Sequence, residues 1–266
     1  MQARAHAPVL IDSVIPKEWA QTRATQLALD IGLMVGFAWF VALSAQIAVR
    51  VPWTTVPVTG QTFAVLVTGG ALGAWRGGGA LLVYMFMGMI AIPVFAPSAG
   101  AFGLGGEWGM HFIFPWKGSE SFLWDISSGG YIVGFIFAAY FTGWLAEKSW
   151  DRKPWMILGL LGANALLYVP GLLWLYYLIN TDWITAGKPL GEWIAGNGDW
   201  DKTLKGGLYP FIAGDLTKLY LASLTLPTAW ALVEKLRGRV RNESTVRWMG
   251  RVDRDPGGVE RPAILP

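Results

Sequence analysis

Two oppositely charged residues three positions apart, Asp215 and Lys218, stand inside an apolar run that begins near Leu208. One charge at the middle of a membrane helix costs about 2.5–3.5 kcal/mol on insertion scales. Residues three apart share a helix face, so the two charges can neutralise each other and still offer an acceptor and a donor to a polar ligand. A structural ion pair near the surface is the plainer alternative, because the run starts only at Leu208. Ionisable side chains within a membrane usually face a cavity, which favours a ligand site.

Two further clusters carry polar or ligand-accessible groups. In Val56-Pro57-Val58-Thr59-Gly60-Gln61-Thr62 the prolines at 52 and 57 hold the chain extended. Thr59, Gln61 and Thr62 then set hydroxyl and amide groups at the head of the next apolar run, where they can orient a neutral amide or urea. Capping by Thr59 alone would need no ligand. Ser127-Ser128-Gly129-Gly130-Tyr131 opens another run. Exposed N–H groups there suit an anionic group, with glycine letting a ligand approach the backbone; the glycines serve helix packing equally well. Tyr84, Trp174 and Tyr177 are candidate apolar walls or simple packing.

The elements that must position these groups are membrane helices. Of 266 residues, 53% are hydrophobic and 15% charged, against about 25% charged in soluble domains; mean hydropathy is +0.41. Apolar runs cover 27–49, 61–75, 79–95, 129–146, 155–179 and 208–234. About 20 apolar residues cross the hydrocarbon layer, so the pattern predicts an all-α integral membrane protein with six transmembrane helices. Arg76-Gly77-Gly78-Gly79 predicts a tight hairpin between the second and third runs. Residues 1–26 read as a cytoplasmic N-terminal segment, 27–236 as the transmembrane domain and 237–266 as a basic cytoplasmic tail. The long polar leader argues for a retained first helix over a cleaved signal peptide.

Fifteen Lys and Arg fall on one side of this topology, eight of them in the tail from Lys235 to Arg261. Five fall on the other: Arg50, Lys117, Lys188, Lys202 and Lys205. The positive-inside rule therefore places both termini in the cytoplasm, and the basic tail reads as an anchor rather than a nucleic-acid arm. Two long outer connections, 96–128 and 180–207, are rich in Gly and Trp and read as lids over an outward-facing site, or as lineage-specific padding.

Several chemistries are excluded. Cysteine is absent and the histidines are only His6 and His111, so no thiolate or clustered-histidine metal site is expected. Gly103-Leu104-Gly105-Gly106 lacks the lysine of an ATP loop. No catalytic motif stands out, so the chain reads as no enzyme and needs no cofactor. Gly32-x-x-x-Gly36 and Ala38-x-x-x-Ala42 form small-residue strips suited to close helix contact, internal or with a partner.

The sequence resembles the BioY family, the biotin-specific S components of energy-coupling factor (ECF) importers. The resemblance is carried by Ala42-Leu43-Ser44-Ala45-Gln46-Ile47, Val56-Pro57-Val58-Thr59 with Gln61-Thr62, Leu72-Gly73, Tyr84 with Gly88, Pro93-Val94-Phe95, Gly129-Gly130-Tyr131, Gly171-Leu172-Leu173-Trp174, and Pro210-Phe211 through Lys218. It departs at Ser127-Ser128, where the family has Pro-Thr, and in longer outer connections. The resemblance implies a six-helix S-component fold in a prokaryotic plasma membrane. Its substrate would be biotin, bound near the outer face. Its partners would be a transmembrane coupling subunit, docked at Ala38 and Ala42, and two cytoplasmic ATPases. It also implies that Asp215 accepts from a ureido N–H of biotin, with Lys218 adding a polar or charge contact. An S component for another vitamin, an intramembrane enzyme using Asp215 and Lys218, and a structural scaffold are the alternatives.

Overall fold

The computed structural model describes residues 8–97, 108–119, 121–185 and 187–252, with side chains as far as Arg237, Lys17 excepted. Most of the apex of the first long connection, including Gly103-Leu104-Gly105-Gly106, lies outside the described residues. The chain forms two compact units, Met1–Pro227 and Thr228–Pro266. All that follows on packing and the site concerns the first.

A short helix α1 (Leu10–Val14) and a 3-10 turn (Lys17–Ala20) precede α2 (Arg23–Ala45). Thr22 starts α2 through a reciprocal cap: its hydroxyl accepts from the Thr25 N–H, and the Thr25 hydroxyl accepts from the Thr22 N–H. Strands β1 (Ile47–Arg50) and β2 (Val58–Thr59) lead to α3 (Gln61–Leu72) and α4 (Ala74–Met89). After β3 (Gly109–Phe112) come α5 (Gly129–Ala146), α6 (Met156–Asn180), a small hairpin of β4 (Ile184–Thr185) and β5 (Lys188–Pro189), α7 (Asp199–Gly207) and α8 (Ile212–Val252).

Among the described residues, four stretches, α2, α5, α6 and residues 212–237 of α8, are long and apolar enough to cross a membrane. Helices α3 and α4 have 12 and 16 residues, or about 18 and 24 Å at 1.5 Å per residue. Both fall short of the roughly 30 Å hydrocarbon layer, so the chain combines four long apolar helices with a shorter hairpin.

The turn of that hairpin lies at Gly73, not at Arg76-Gly77-Gly78-Gly79. Gly73 has φ +86°, a conformation closed to most L-residues. The Glu147 carboxylate of α5 then accepts from the Ala74 N–H at 2.8 Å, satisfying one donor at the head of α4. The three glycines are helical instead. A Cβ at Gly77 would sit 2.9 Å from the Gly69 Cα, and one at Gly79 would strike the Met34 sulfur at 2.4 Å. They let α3 and α2 approach α4 closely, a packing need that mimics a turn signal. Arg76 reaches Asp12 at 2.7 Å and Asp30 at 3.5 Å, tying the N-terminal segment to α2 and α4.

Ala38 and Ala42 are fully buried in the core of the unit. Their strip is packed by the chain's own helices. Gly32 and Gly36, on the other side of α2, face open space.

One antiparallel sheet, ordered β2-β1-β3, sits at the C-terminal end of α2. Ala48 pairs with Thr59 and with His111, and Ile47 pairs with Phe112. This sheet delivers Thr59 to the head of α3.

Candidate functional site: a cavity around Asp215

At the end of the bundle where α2 stops and α3, α5 and α8 begin, a narrow cavity of about 40 Å³ opens between α3, α5, α6 and α8. That is well below the usual range for small-ligand sites, about 300–1,000 Å³, so its walls must part to admit a ligand. Asp215, in the first turn of α8, is buried at its foot. One carboxylate oxygen accepts from Lys218 Nζ at 2.9 Å and from the Thr62 hydroxyl at 3.3 Å; the other accepts from the Tyr168 hydroxyl at 2.6 Å. A buried charge is tolerable only when paired and hydrogen-bonded, and here three side chains from α8, α3 and α6 share the task. A carboxylate has about four lone-pair directions, so roughly one remains for a ligand donor.

Thr59, Gln61 and Thr62 all line the cavity. The Thr59 hydroxyl donates to Gln61 Oε1 at 2.9 Å and accepts from the Gln61 N–H at 3.3 Å. Gly60, not Thr59, is the N-cap residue of α3; Thr59 precedes it and holds the first helical N–H from there. Gln61 Nε2 donates to the Tyr84 hydroxyl at 2.7 Å, and Tyr84 donates onward to the Val94 carbonyl at 3.2 Å. Tyr84 is therefore no wall; it stands behind Gln61 and fixes its amide.

Tyr131 lines the cavity, with its hydroxyl donating to the Gly207 carbonyl at the end of α7 at 2.7 Å. Gly129 and Gly130 lie outside the lining. A Cβ at Gly130 would fall 2.3 Å from the Trp174 Cβ, and one at Gly129 would fall 2.1 Å from the Leu123 carbonyl. They permit close packing of α5, and Trp174 closes that contact by donating to the Ile126 carbonyl at 3.0 Å. Tyr177 is exposed on the outside of α6. The apolar lining comes instead from Tyr131, Phe135, Leu167, Tyr168 and Phe211. Ser128 reaches the cavity, while Ser127 donates to the Thr55 carbonyl at 3.2 Å.

Tyr168 is the residue that sequence reasoning missed. A tyrosine in an apolar helix carries no local mark distinguishing packing from function, and its partner lies 47 positions away. The one available cue was that a buried carboxylate needs more donors than a single lysine.

The polar groups of the cavity come from segments scattered along the chain, and a family comparison spans the same stretch. The model of the BioY family matches residues 17–235. The chain belongs to the BioY family. Curated BioY relatives include the "Biotin transporter BioY" of Rhodobacter capsulatus, 27% identical over 65% of this chain and 78% of that protein. The "Probable biotin transporter BioY" of Pyrococcus horikoshii is 26% identical over 79% of this chain and 98% of its own length. That of Methanothermobacter thermautotrophicus is 33% identical over 57% of this chain and 80% of its own. Among solved structures, the S-component for biotin from an ECF-type ABC transporter matches with a TM-score of 0.54. It is 17% identical and aligns over 78% of this chain and 93% of that one, a likeness of fold. Membership in BioY makes this a multi-pass membrane protein of a prokaryotic transporter family.

Proposed function

We propose that the chain is the biotin-binding S component of an ECF importer, a transporter subunit and not an enzyme, that captures biotin in the Asp215 cavity. The observation that carries this reading is the buried Asp215, held by three donors beside a narrow cavity lined by polar and aromatic side chains, in a member of the BioY family. The open lone pair of Asp215 accepts a ureido N–H of biotin. Gln61, with one N–H committed to Tyr84, turns its second toward the ligand. Thr59, Thr62 and Lys218 supply the other polar contacts, and Tyr131 with Phe211 encloses the apolar bicycle. Tyr84, Gly129, Gly130 and Trp174 act behind the wall.

In this reading α3 and α4, together with the residues that flank them, complete six crossings, and both termini lie on the cytoplasmic side of a prokaryotic plasma membrane. Residues 1–26 form the N-terminal segment, 27–236 the membrane domain and 237–266 the tail. A transmembrane coupling subunit and two cytoplasmic ATPases supply the energy. The coupling subunit docks on α2 through its open Gly32 and Gly36 side, since Ala38 and Ala42 are already covered.

Equilibrium dialysis of labelled biotin against the purified protein in nanodiscs tests the substrate. Tight binding, displaced by unlabelled biotin and lost in Asp215→Ala, is expected. A folded protein that ignores biotin but takes up another vitamin would replace the substrate while keeping the fold.

A further inference from the structure

The sheet beside the cavity has two unlike faces. Its inner face carries Ala48, His111 and Thr59, all buried, and Thr59 lines the cavity. Its other face carries Ile47 opposite Phe112 and Val49 opposite Met110. Paired residues in an antiparallel ladder project to the same side. Met110 is 80% exposed and Phe112 64%; Phe114, two residues further along the chain, is 77% exposed. Contiguous apolar side chains this open are unusual on a surface that meets water.

What covers them follows from continuity with α2. Leu27, Ile31, Val35, Trp39, Leu43 and Ile47 are all exposed and recur at every fourth position. The first five lie along a membrane-spanning helix, facing lipid or a partner within the bilayer. The sixth lies in β1 and carries that surface onto the sheet. Trp39 also lies 6.3 Å from Trp116, which closes the stretch after β3, and the Ile113 N–H donates to the Gln46 carbonyl at the end of α2. The level is set as well. α2 ends at Ala45, and among the described residues β3 is an edge strand whose outer N–H and C=O groups need water. Open sheet edges do not occur in hydrocarbon, whereas tryptophans and other amphipathic rings favour the headgroup layer.

We propose that the outward face of the β1–β3 sheet, with Ile47, Met110, Phe112 and Phe114, is a membrane-anchoring surface seated in the phospholipid headgroup layer of the leaflet on the cavity side. Lipid covers one face of the sheet while the other face carries the cavity wall, so this anchorage steadies Thr59 against the bilayer.

The chain has no cysteine, so single cysteines at Met110, Phe112, Phe114 and, as a water-exposed control, Lys205 can each carry a nitroxide. The four proteins, checked by monodisperse elution and helical circular dichroism, are placed in phosphatidylcholine–phosphatidylglycerol nanodiscs. Collisions with dissolved oxygen, which enriches in lipid, are compared with collisions with a neutral nickel chelate, which stays in water. The three sheet labels should show an oxygen-to-nickel ratio several-fold above that of the Lys205 label. Ratios equal to the control would overturn the proposal in favour of a water-facing sheet. Low access to both reagents would overturn it in favour of cover by the chain's own residues, and spin–spin broadening in nanodiscs holding two copies would do so in favour of a dimer face.

Discussion

Asp215 accepts from side chains on three different helices, which makes it a tie point of the bundle and, in the proposed reading, the ligand acceptor as well. Tyr168 makes the shortest of these bonds, at 2.6 Å. A hydrogen bond to a charged group contributes about 1.5–3 kcal/mol net, and each 1.4 kcal/mol is a factor of ten in affinity. Tyr168→Phe should therefore weaken biotin binding by about 10–100-fold, measured by dialysis, with the fold intact because only the hydroxyl is removed. Unchanged affinity would mean that Lys218 and Thr62 hold the carboxylate adequately by themselves. Thr62→Val, which deletes the longer 3.3 Å contact, should cost less. Much at this scale was legible in the sequence: Asp215, Lys218, Gln61, Thr59 and Thr62 stand out because polar groups are costly within apolar runs. Tyr168, Phe135 and Phe211 were not, because apolar and aromatic residues are the background composition of such helices. The same ambiguity misplaced Tyr84, Trp174 and Tyr177.

At the scale of elements, the hairpin of α3 and α4 turns on one residue. Gly73→Ala places a Cβ at positive φ and 2.8 Å from the Glu147 carboxylate. The backbone conformation, with ψ at 176°, alone costs about 1–3 kcal/mol for a residue with a Cβ, so the variant should unfold at a clearly lower temperature. At Gly78 a Cβ would meet Tyr140 at an ordinary 3.5 Å, and alanine is favoured over glycine within a helix by about 1 kcal/mol. Gly78→Ala should leave thermal stability unchanged or raised. The reverse order would return the turn to the glycine triplet. Sequence patterning read that triplet as a loop because glycine marks turns and close helix contacts with the same letter. The small-residue strips on α2 share this limit: spacing shows that a strip exists, not which neighbour lies on it. Ala38→Leu should accordingly destabilise the fold by about 1–3 kcal/mol through overpacking, while Gly36→Leu, in open space, should leave unfolding unchanged. Equal destabilisation by both in thermal scans would contradict the burial of Ala38.

For the whole molecule, the hydropathy pattern conveyed a mostly helical membrane protein and the four long spans α2, α5, α6 and residues 212–237. It did not convey that the second and third apolar runs fold into helices of only 12 and 16 residues, because length on a plot includes turn residues such as Gly73. The distribution of Lys and Arg predicts a sidedness that labelling can test. Single cysteines replacing Lys205 and Lys148, treated with a membrane-impermeant maleimide on intact cells, should react at Lys205→Cys and stay protected at Lys148→Cys. Equal reaction at both would remove the proposed orientation. The structural likeness to a biotin S-component covers 93% of that chain, so the additional length here falls outside the shared framework.

The Asp215–Lys218 pairing also has an electrical meaning. Carrying one elementary charge across a membrane potential involves about 2.3 kcal/mol per 100 mV, but a carboxylate and an ammonium held 2.9 Å apart sum to zero. An empty site that changes its exposure therefore does no net work against the voltage through this pair. Biotin brings a single negative charge on its valerate, so the loaded site is the one that the potential acts upon. If the Asp215 cavity is the biotin site, inward passage of that anion against a negative cytoplasm would run uphill, while the pair itself would add no voltage dependence to the return of the empty site.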